Sequence, residues 1–482
     1  MKFNNLAFND TAENKLRTPW LIFAATTLGA CIVNIDVTIV NVALPFIAKH
    51  YTANVGKVQW IISSYVLATC ILLPICGRLS DIYTKRFIYL LGFAIFTFGS
   101  ALCGFATSLT MLILFRLVQG VGAAMIMSNN QALIVMNFPQ NLQGRALSVN
   151  SMSASFGAIA GPAFGGFLLS ILSWRSIFYI NIPIGIIGCV VGYYVLPRNE
   201  KRLDHPLDII GAIFFAAFIS CVLFLFEQFG SGYWVNVKNL ILLTIAVVAG
   251  WLFTSRQKEI THPLINLSLF KVATYLRGNI AAFIVFMAMG GNGVLLPFYL
   301  NDVLQLAPGV IGMLMFVGPC TMLVLAPLSG YLTDRFPQKI FVAVGLLLFA
   351  AGLIFQGSAG AHSSIRHVVI GQIIIGSGFA FFQPPNNVTL FKNFTTTNFG
   401  LVSSINALVR NMGRVFGVVI AVSVFTLLFT HMFSLYSLQQ HTQQQHNIAF
   451  LQGFSVAYYC LAAFVLGALY VQLSKTKKIR GC

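Results

Sequence analysis

Four charged side chains sit where charge is least at home, inside long apolar runs: Asp36, Arg116, Arg410 and Arg414. Asp36 lies sixteen residues beyond Trp20, the start of its run, or about 24 Å along a helix that rises 1.5 Å per residue. A charged carboxylate near the centre of a bilayer costs about 2.5–3.5 kcal/mol on insertion scales. Such a group is expected to face a cavity, where desolvation favours the neutral acid and lets it take up and release a proton. The structural alternative is a carboxylate held permanently by Thr38, Asn41 or a neighbouring helix. Arg116 cannot escape burial by losing its proton. It needs carboxylate or carbonyl partners or water, and a static anchor between helices would meet that need too. Arg410 and Arg414, four residues apart, share one helical face with no acid in their run. They suit either an anionic substrate or pairing with backbone carbonyls. Asn41, Asn130, Asn292, Gln383 and Asn387 are uncharged candidates for substrate contact, although amides in apolar helices more often bond helix to helix.

Membrane-crossing helices must position these groups. Of 482 residues, 57% are hydrophobic and 8% charged, with a mean hydropathy of +0.83, whereas an average soluble domain is about 25% charged. That is too little charged surface for a cytosolic enzyme, a secreted disulfide scaffold or a disordered tail. Runs long enough to cross hydrocarbon, about 20 residues, begin at Trp20, Val58, Phe87, Met111, Ala146, Ser176, Ile209, Leu240, Leu276, Val310, Ile340, Val368, Leu401 and Phe450. Strands of alternating polarity are absent, so the expected fold class is an all-α membrane protein with 14 transmembrane helices. The chain carries 29 Lys and Arg against 11 acids, a net charge of +18. With the N-terminus in the cytoplasm, most of those cations fall on the tails and even-numbered connections, as the positive-inside rule demands. The charge therefore speaks for a multi-pass protein of the inner (plasma) membrane, N-in and C-in, and against a nucleic-acid partner. The nine Cys read as small buried hydrophobes. The eight His lie in loops or at span ends, without metal-site spacing. No P-loop is present, which argues against ATP-driven transport by this chain.

An internal repeat organises the spans. Gly77-Arg78-Leu79-Ser80-Asp81 after the second span returns as Gly330-Tyr331-Leu332-Thr333-Asp334 after the tenth. Arg116, Gly120 and Gly122 align with Gln372, Gly376 and Gly378. Two parallel six-helix halves plus a two-helix insert follow. The expected units are a cytoplasmic tail over 1–18, the first half over 19–197, a linker with two extra helices over 198–270, the second half over 271–473, and a basic cytoplasmic tail over 474–482. Gly157, Gly161, Gly165 and Gly166 permit close helix approach, and Pro162 removes a backbone donor and bends the helix, so this segment reads as a hinge or seal, or as plain close packing. Asp81, beside Lys85 and Arg86 on a short loop, can pair with basic residues or a helix N-terminus between the halves; Asp334 is its second copy.

These motifs, taken in order, resemble the major facilitator superfamily, in particular its fourteen-span drug:proton antiporter branch. The similar segments are Ile35 to Pro45 in span 1, Gly77 to Arg86 after span 2, Arg116 to Gly122 in span 4, Gly157 to Gly166 in span 5 and Trp174 to Gly185 at span 6. Thr84 and Arg414 stand where the branch usually has Gly. The resemblance implies proton coupling through Asp36 with Arg116 tuning release. It also implies conformational gating by Gly77, Asp81, Arg86 and Asp334 and by the glycines of span 5 with Pro162. The function implied is a proton-coupled secondary active exporter of drug-like or amphipathic molecules by alternating access. It would be no enzyme and would need no cofactor beyond the proton gradient. Its partners would be a small-molecule substrate, protons and the lipid bilayer, with a periplasmic adaptor as a further partner, and it would work as a monomer. Two other readings stay open: export of an anionic metabolite such as a siderophore, and a membrane sensor that transports nothing.

Overall fold

Backbone amides inside hydrocarbon have no water to bond, so each crossing must satisfy them within itself. In the computed structural model the chain does so with helices. The described residues are 12–138, 157, 160–197, 208–229, 236–260, 263–265, 267–391, 399–435 and 443–474, and every regular element among them is helical. The first half comprises α1 (Ala12–His50), the single turn α2 (Val55–Val58), α3 (Trp60–Ile82), α4 (Lys85–Phe105), α5 (Leu109–Asn137), α6 (Ala160–Ile171), the short α7 (Ser176–Tyr179) and α8 (Asn181–Val195). The insert is α9 (Ile209–Phe229) and α10 (Val237–Glu259). The second half comprises α11 (Ala273–Phe298), α12 (Pro308–Arg335), α13 (Gln338–Gly357), α14 (Ile365–Phe391), α15 (Phe399–Leu435) and α16 (Gln443–Leu473). Side chains close several helix starts: the hydroxyls of Thr84 and Ser108 accept from the amides of Phe87 and Met111, the N-cap arrangement expected of Ser and Thr.

Twelve of the described helices are long and apolar enough to cross a membrane. Two of the fourteen expected crossings are not among them. Most of the run from Ala146 lies outside the described residues and is represented by the shorter α6, and the apolar part of α9 covers only Ile209–Leu225. The helix α1 begins at Ala12, before the apolar crossing itself, which starts at Pro19.

The repeat is structural as well as sequential. A Cβ on Gly122 would lie 2.7 Å from the Gly92 carbonyl, and one on Gly378 would lie 2.8 Å from the Gly345 carbonyl. Thus α4 crosses α5, and α13 crosses α14, on a matching pair of glycines. The insert flanks this frame. Asp208 and Arg256 pair at 2.6 Å between the start of α9 and the end of α10, and Trp60 of α3 stacks on Phe224 of α9.

The halves meet tightly at one end. Gly166 of α6 lies against Gly312 of α12: a Cβ on Gly166 would sit 2.8 Å from the Gly312 Cα and from the Pro308 carbonyl. At the other end, a Cβ on Gly77 or Gly330 would meet nothing within 4 Å. The molecule is closed at the end bearing Gly166 and open at the end bearing the repeated loop motif, which is the end expected to be cytoplasmic.

Candidate functional site: a central cavity beside a buried ion pair

Asp36 and Arg116 are fully buried, and the Arg116 Nη1 donates to Asp36 Oδ2 at 2.6 Å. The other carboxylate oxygen accepts from Gln119 Nε2 at 2.9 Å and from Asn181 Nδ2 at 2.7 Å. Arg116 is held in turn. Its Nη1 also reaches Gln119 Oε1 at 2.6 Å, and its Nε donates to the Ile61 carbonyl at 3.0 Å. Gln119 donates to Ser100 as well. The Tyr65 ring lies against the guanidinium, 4.1 Å from its carbon. Side chains of α1, α4, α5 and α8 and the backbone of α3 therefore converge on one carboxylate. Two charges removed from water persist when most of their remaining lone pairs and protons are also bonded. Here, of the pair's atoms, only the Arg116 Nη2 has no hydrogen-bond partner among the described residues, and the Tyr65 ring covers the guanidinium.

The expectation that Asp36 faces a cavity is corrected here. Its exposure is 0% and it is absent from the cavity wall. Arg116 and two amides supply the compensation that water would have supplied. Thr38 and Asn41 do not hold it either, since the Thr38 hydroxyl donates to the carbonyls of Asn34 and Ile35.

A cavity of about 500 Å³ lies between the halves, within the range of small-molecule sites. It runs from Asn41, Leu296 and Val418 to Gly77, Arg78, Lys85 and Pro263 at the open end. Its wall mixes Phe286, Phe379, Met289, Met315 and Met322 with Asn34, Asn41, Asn130, Asn292, Gln372, Gln383 and Asn411. Several amide atoms have no hydrogen-bond partner among the described residues: Oδ1 of Asn41 and Asn130, Oε1 of Gln383 and Nδ2 of Asn411. A recess of about 10 Å³ lined by Asn34, Tyr65, Thr69, Asn411 and Arg414 adjoins the cavity. Tyr65 lines the recess and packs on Arg116, so one aromatic ring separates the cavity side from the ion pair.

The second half carries a neutral copy of the ion-pair site. The separation that aligns Arg116 with Gln372 also aligns Asp36 with Asn292. Asn292 Oδ1 accepts from Gln372 Nε2 at 3.3 Å and from Tyr458 at 2.8 Å, as Asp36 accepts from Arg116 and Asn181. Tyr458 lies in α16, the last helix of its half, as Asn181 does in α8.

The family model of the Major Facilitator Superfamily matches residues 26–255 and 279–438. The chain belongs to that superfamily. It is 29% identical over 417 residues to the riboflavin transporter RibZ of Clostridioides difficile (strain 630), covering 86% of this chain and 90% of that one. It is 29% identical over 409 residues to the multidrug resistance protein Stp of Mycobacterium tuberculosis (strain CDC 1551 / Oshkosh), covering 85% and 76%. Among solved structures, a bacterial homolog of the human lysosomal transporter Spinster, inward-facing and unoccupied, superposes with a TM-score of 0.67 at 16% identity, covering 94% of this chain and 96% of that one. The protein is thus a multi-pass membrane transporter and not an enzyme.

In this superfamily member the expected site residues fall into three groups. Asn41, Asn130, Asn292, Gln383, Arg410 and Arg414 line the cavity. Asn387 does not, and instead accepts from Asn406 at 3.5 Å on the neighbouring helix α15. Among the gating candidates, Gly77 lies at the open mouth. Gly157, Gly161 and Gly165 of the span 5 motif pack on Cys31, Thr38 and Ile39 of α1, while Gly166 turns to α12 and Pro162 lines the cavity. Arg86 ties α4 to the C-terminal end of α8, donating to the carbonyls of Tyr193 and Leu196, the end of a helix dipole that favours a cation. The side chains of Asp81 and Asp334 lie outside the described residues. Sequence reasoning missed Gln119, Asn181, Ser100 and Tyr65. Only Gln119, one helical turn from Arg116, left a readable sign.

Proposed function

We propose that this chain is a proton-coupled secondary active exporter of amphipathic, drug-like small molecules, working by alternating access in the inner membrane with both termini in the cytoplasm. The observation that supports it best is a carboxylate sealed from the cavity yet only one ring away from it. The name of a relative, the multidrug resistance protein Stp, supports the cargo class.

Cargo enters the open cavity from the cytoplasm while Asp36 is ionised and paired. Apolar side chains take its hydrophobic body, and Met residues adapt to varied shapes. In the opposite, outward-open state Asp36 accepts a proton. A neutral acid no longer balances Arg116 and bonds Gln119 and Asn181 less strongly, so the contacts that hold α1 against α5 and α8 weaken. The protonated protein returns to the inward-open conformation, where loss of the proton to the cytoplasm restores the pair. A ligand or proton shifts such an equilibrium only by its differential affinity for the two states, and the ion pair supplies that difference.

The test is transport in proteoliposomes with ethidium and fluorescein as probes, driven by a pH gradient. Asp36→Asn, which keeps an oxygen acceptor facing Arg116, is expected to abolish gradient-driven movement while the protein, at reduced stability, still folds and still exchanges cargo for cargo. Full gradient-driven transport by that variant refutes the reading.

A further inference from the structure

Among the described residues, acids are missing from the cavity wall. Arg78, Lys85, Arg410 and Arg414 line it, and no Asp or Glu does. The two deep arginines come from one face of α15 and converge on one ring: their guanidinium carbons lie 5.8 Å and 5.2 Å from the centre of Phe286. Neither has a carboxylate or hydrogen-bond partner among the described residues, in contrast to Arg116, which makes three hydrogen bonds, one of them its ion pair with Asp36, and cation–π contacts besides. Between them Asn411 lines the same wall, and its Nδ2 is without a partner. The site therefore offers two guanidiniums and an amide donor around an aromatic face, with no hydrogen-bond acceptor or carboxylate facing them among the described residues.

We infer that Arg410, Arg414 and Asn411 form the head-group subsite of the cavity, and that the exported cargo is an organic anion, a carboxylate or a chemically similar oxyanion on a planar or apolar body. This rests on the transport reading above and names its substrate class. Guanidinium matches an oxyanion through paired N–H donors, and two of them reach a single carboxylate or a dicarboxylate. Phe286, already beneath both cations, offers its ring to the apolar body of the cargo. The cavity mouth agrees with this. Arg78 and Lys85 stand at the open end, so an anion arriving from the cytoplasm meets positive potential from the mouth to the binding site, and a cation meets repulsion over the same path. Binding also relieves the protein, because two like charges side by side in a low-dielectric wall repel until an anion lies between them.

The test compares two dyes with one xanthene skeleton and opposite charge, the anion fluorescein and the cation rhodamine 123. Their binding to the full chain in nanodiscs is read by fluorescence anisotropy at pH 8 without any gradient. Fluorescein is expected to bind about tenfold or more tighter than rhodamine 123. Arg410→Gln with Arg414→Gln should remove that preference, weakening fluorescein by about tenfold or more and leaving rhodamine 123 unchanged or tighter. Arg410→Lys with Arg414→Lys, which keeps the charge, should restore most of the fluorescein affinity and guards against a folding defect in the Gln variant. Equal or tighter binding of rhodamine 123 to the unaltered protein, no fluorescein binding, or fluorescein binding that survives both Gln substitutions overturns the inference. Asp36→Asn should bind fluorescein normally. Loss of gradient-driven transport there with dye binding intact separates a failure of the anion subsite from a failure of proton coupling.

Discussion

At the scale of residues, the Asp36–Arg116 pair makes a stability prediction that separates charge from packing. Arg116→Leu leaves a fully buried carboxylate without its cation, a change that typically costs about 3–5 kcal/mol. Protonation offers the variant an escape, since a neutral acid needs no counter-charge. Its thermal unfolding temperature in detergent is therefore expected to fall strongly at pH 8 and much less at pH 5. Asp36→Leu combined with Arg116→Leu removes both charges, so it should recover most of the stability at both values while remaining uncoupled. Equal loss in the single and double variants would mean that packing, not charge, holds this locus. The amides around the carboxylate contribute less individually. Asn181→Ala removes one donor from Oδ1 while Gln119 still bonds that oxygen, so about 1–3 kcal/mol is expected from the lost charge-assisted bond, read in the same unfolding assay.

At the scale of elements, close glycine crossings decide which end of the molecule is shut. A Cβ on Gly312 would lie 2.5 Å from the Pro162 carbonyl, closer than real contacts allow, so Gly312→Val must push α12 away from α6. The expected result is a shift toward the outward-open state, seen as a longer spin-label distance between Ser170 of α6 and Met313 of α12 after both are replaced by Cys. Substitution at the other end should act differently. Gly77→Leu meets open space in this conformation, so inward-open cargo binding should be normal, but closing that end requires the space and turnover should stop. Unimpaired turnover would show that α3 never approaches the opposite half there. These crossings also mark how far the sequence could be read. The four-residue spacing of Gly157, Gly161 and Gly165 announced a smooth face, and the repeated Gly77 and Gly330 announced two related halves. Which helix each glycine touches was not readable, because the contact partners lie far away in the chain. The same limit hid Asn181 and Tyr65: an amide and a phenol in apolar runs look like any helix–helix bond until five helices bring them to one carboxylate. Asp36 itself was legible from its cost in hydrocarbon, but that cost predicts compensation without saying whether water or Arg116 provides it. The neutral copy at Asn292 carried a sign that went unread, the repeat spacing that already linked Arg116 to Gln372.

At the scale of the whole molecule, one half holds a paired carboxylate and the other its neutral counterpart, and under the proposed coupling this asymmetry sets the electrical character of transport. Asn292, Gln372 and Tyr458 occupy the second locus, and neither an amide nor an ordinary phenol exchanges a proton with water near neutral pH. One proton per cycle, carried by Asp36, is the expected ratio. A proton entering and a monoanion leaving move charge in the same electrical sense, so two charges run inward per cycle. Each is worth about 2.3 kcal/mol per 100 mV, and the pair about 4.6 kcal/mol per 100 mV on the same basis. A monocation leaving in exchange for one proton moves no net charge. Export of an anion should therefore be driven by an inside-negative potential alone, with pH equal on both sides. The measurement uses proteoliposomes loaded with fluorescein, which is mostly a dianion at pH 8 and so adds a third inward charge per cycle, with a potassium gradient and valinomycin imposing the potential. Efflux should rise as the interior becomes more negative, and reversal conditions should fit one proton per fluorescein. Efflux indifferent to potential would exclude this coupling, and a ratio near two would require a second proton site that the Asn292 locus does not provide. Rebuilding that locus as Asn292→Asp with Gln372→Arg supplies the reverse test, because a working second site should raise the measured ratio above one.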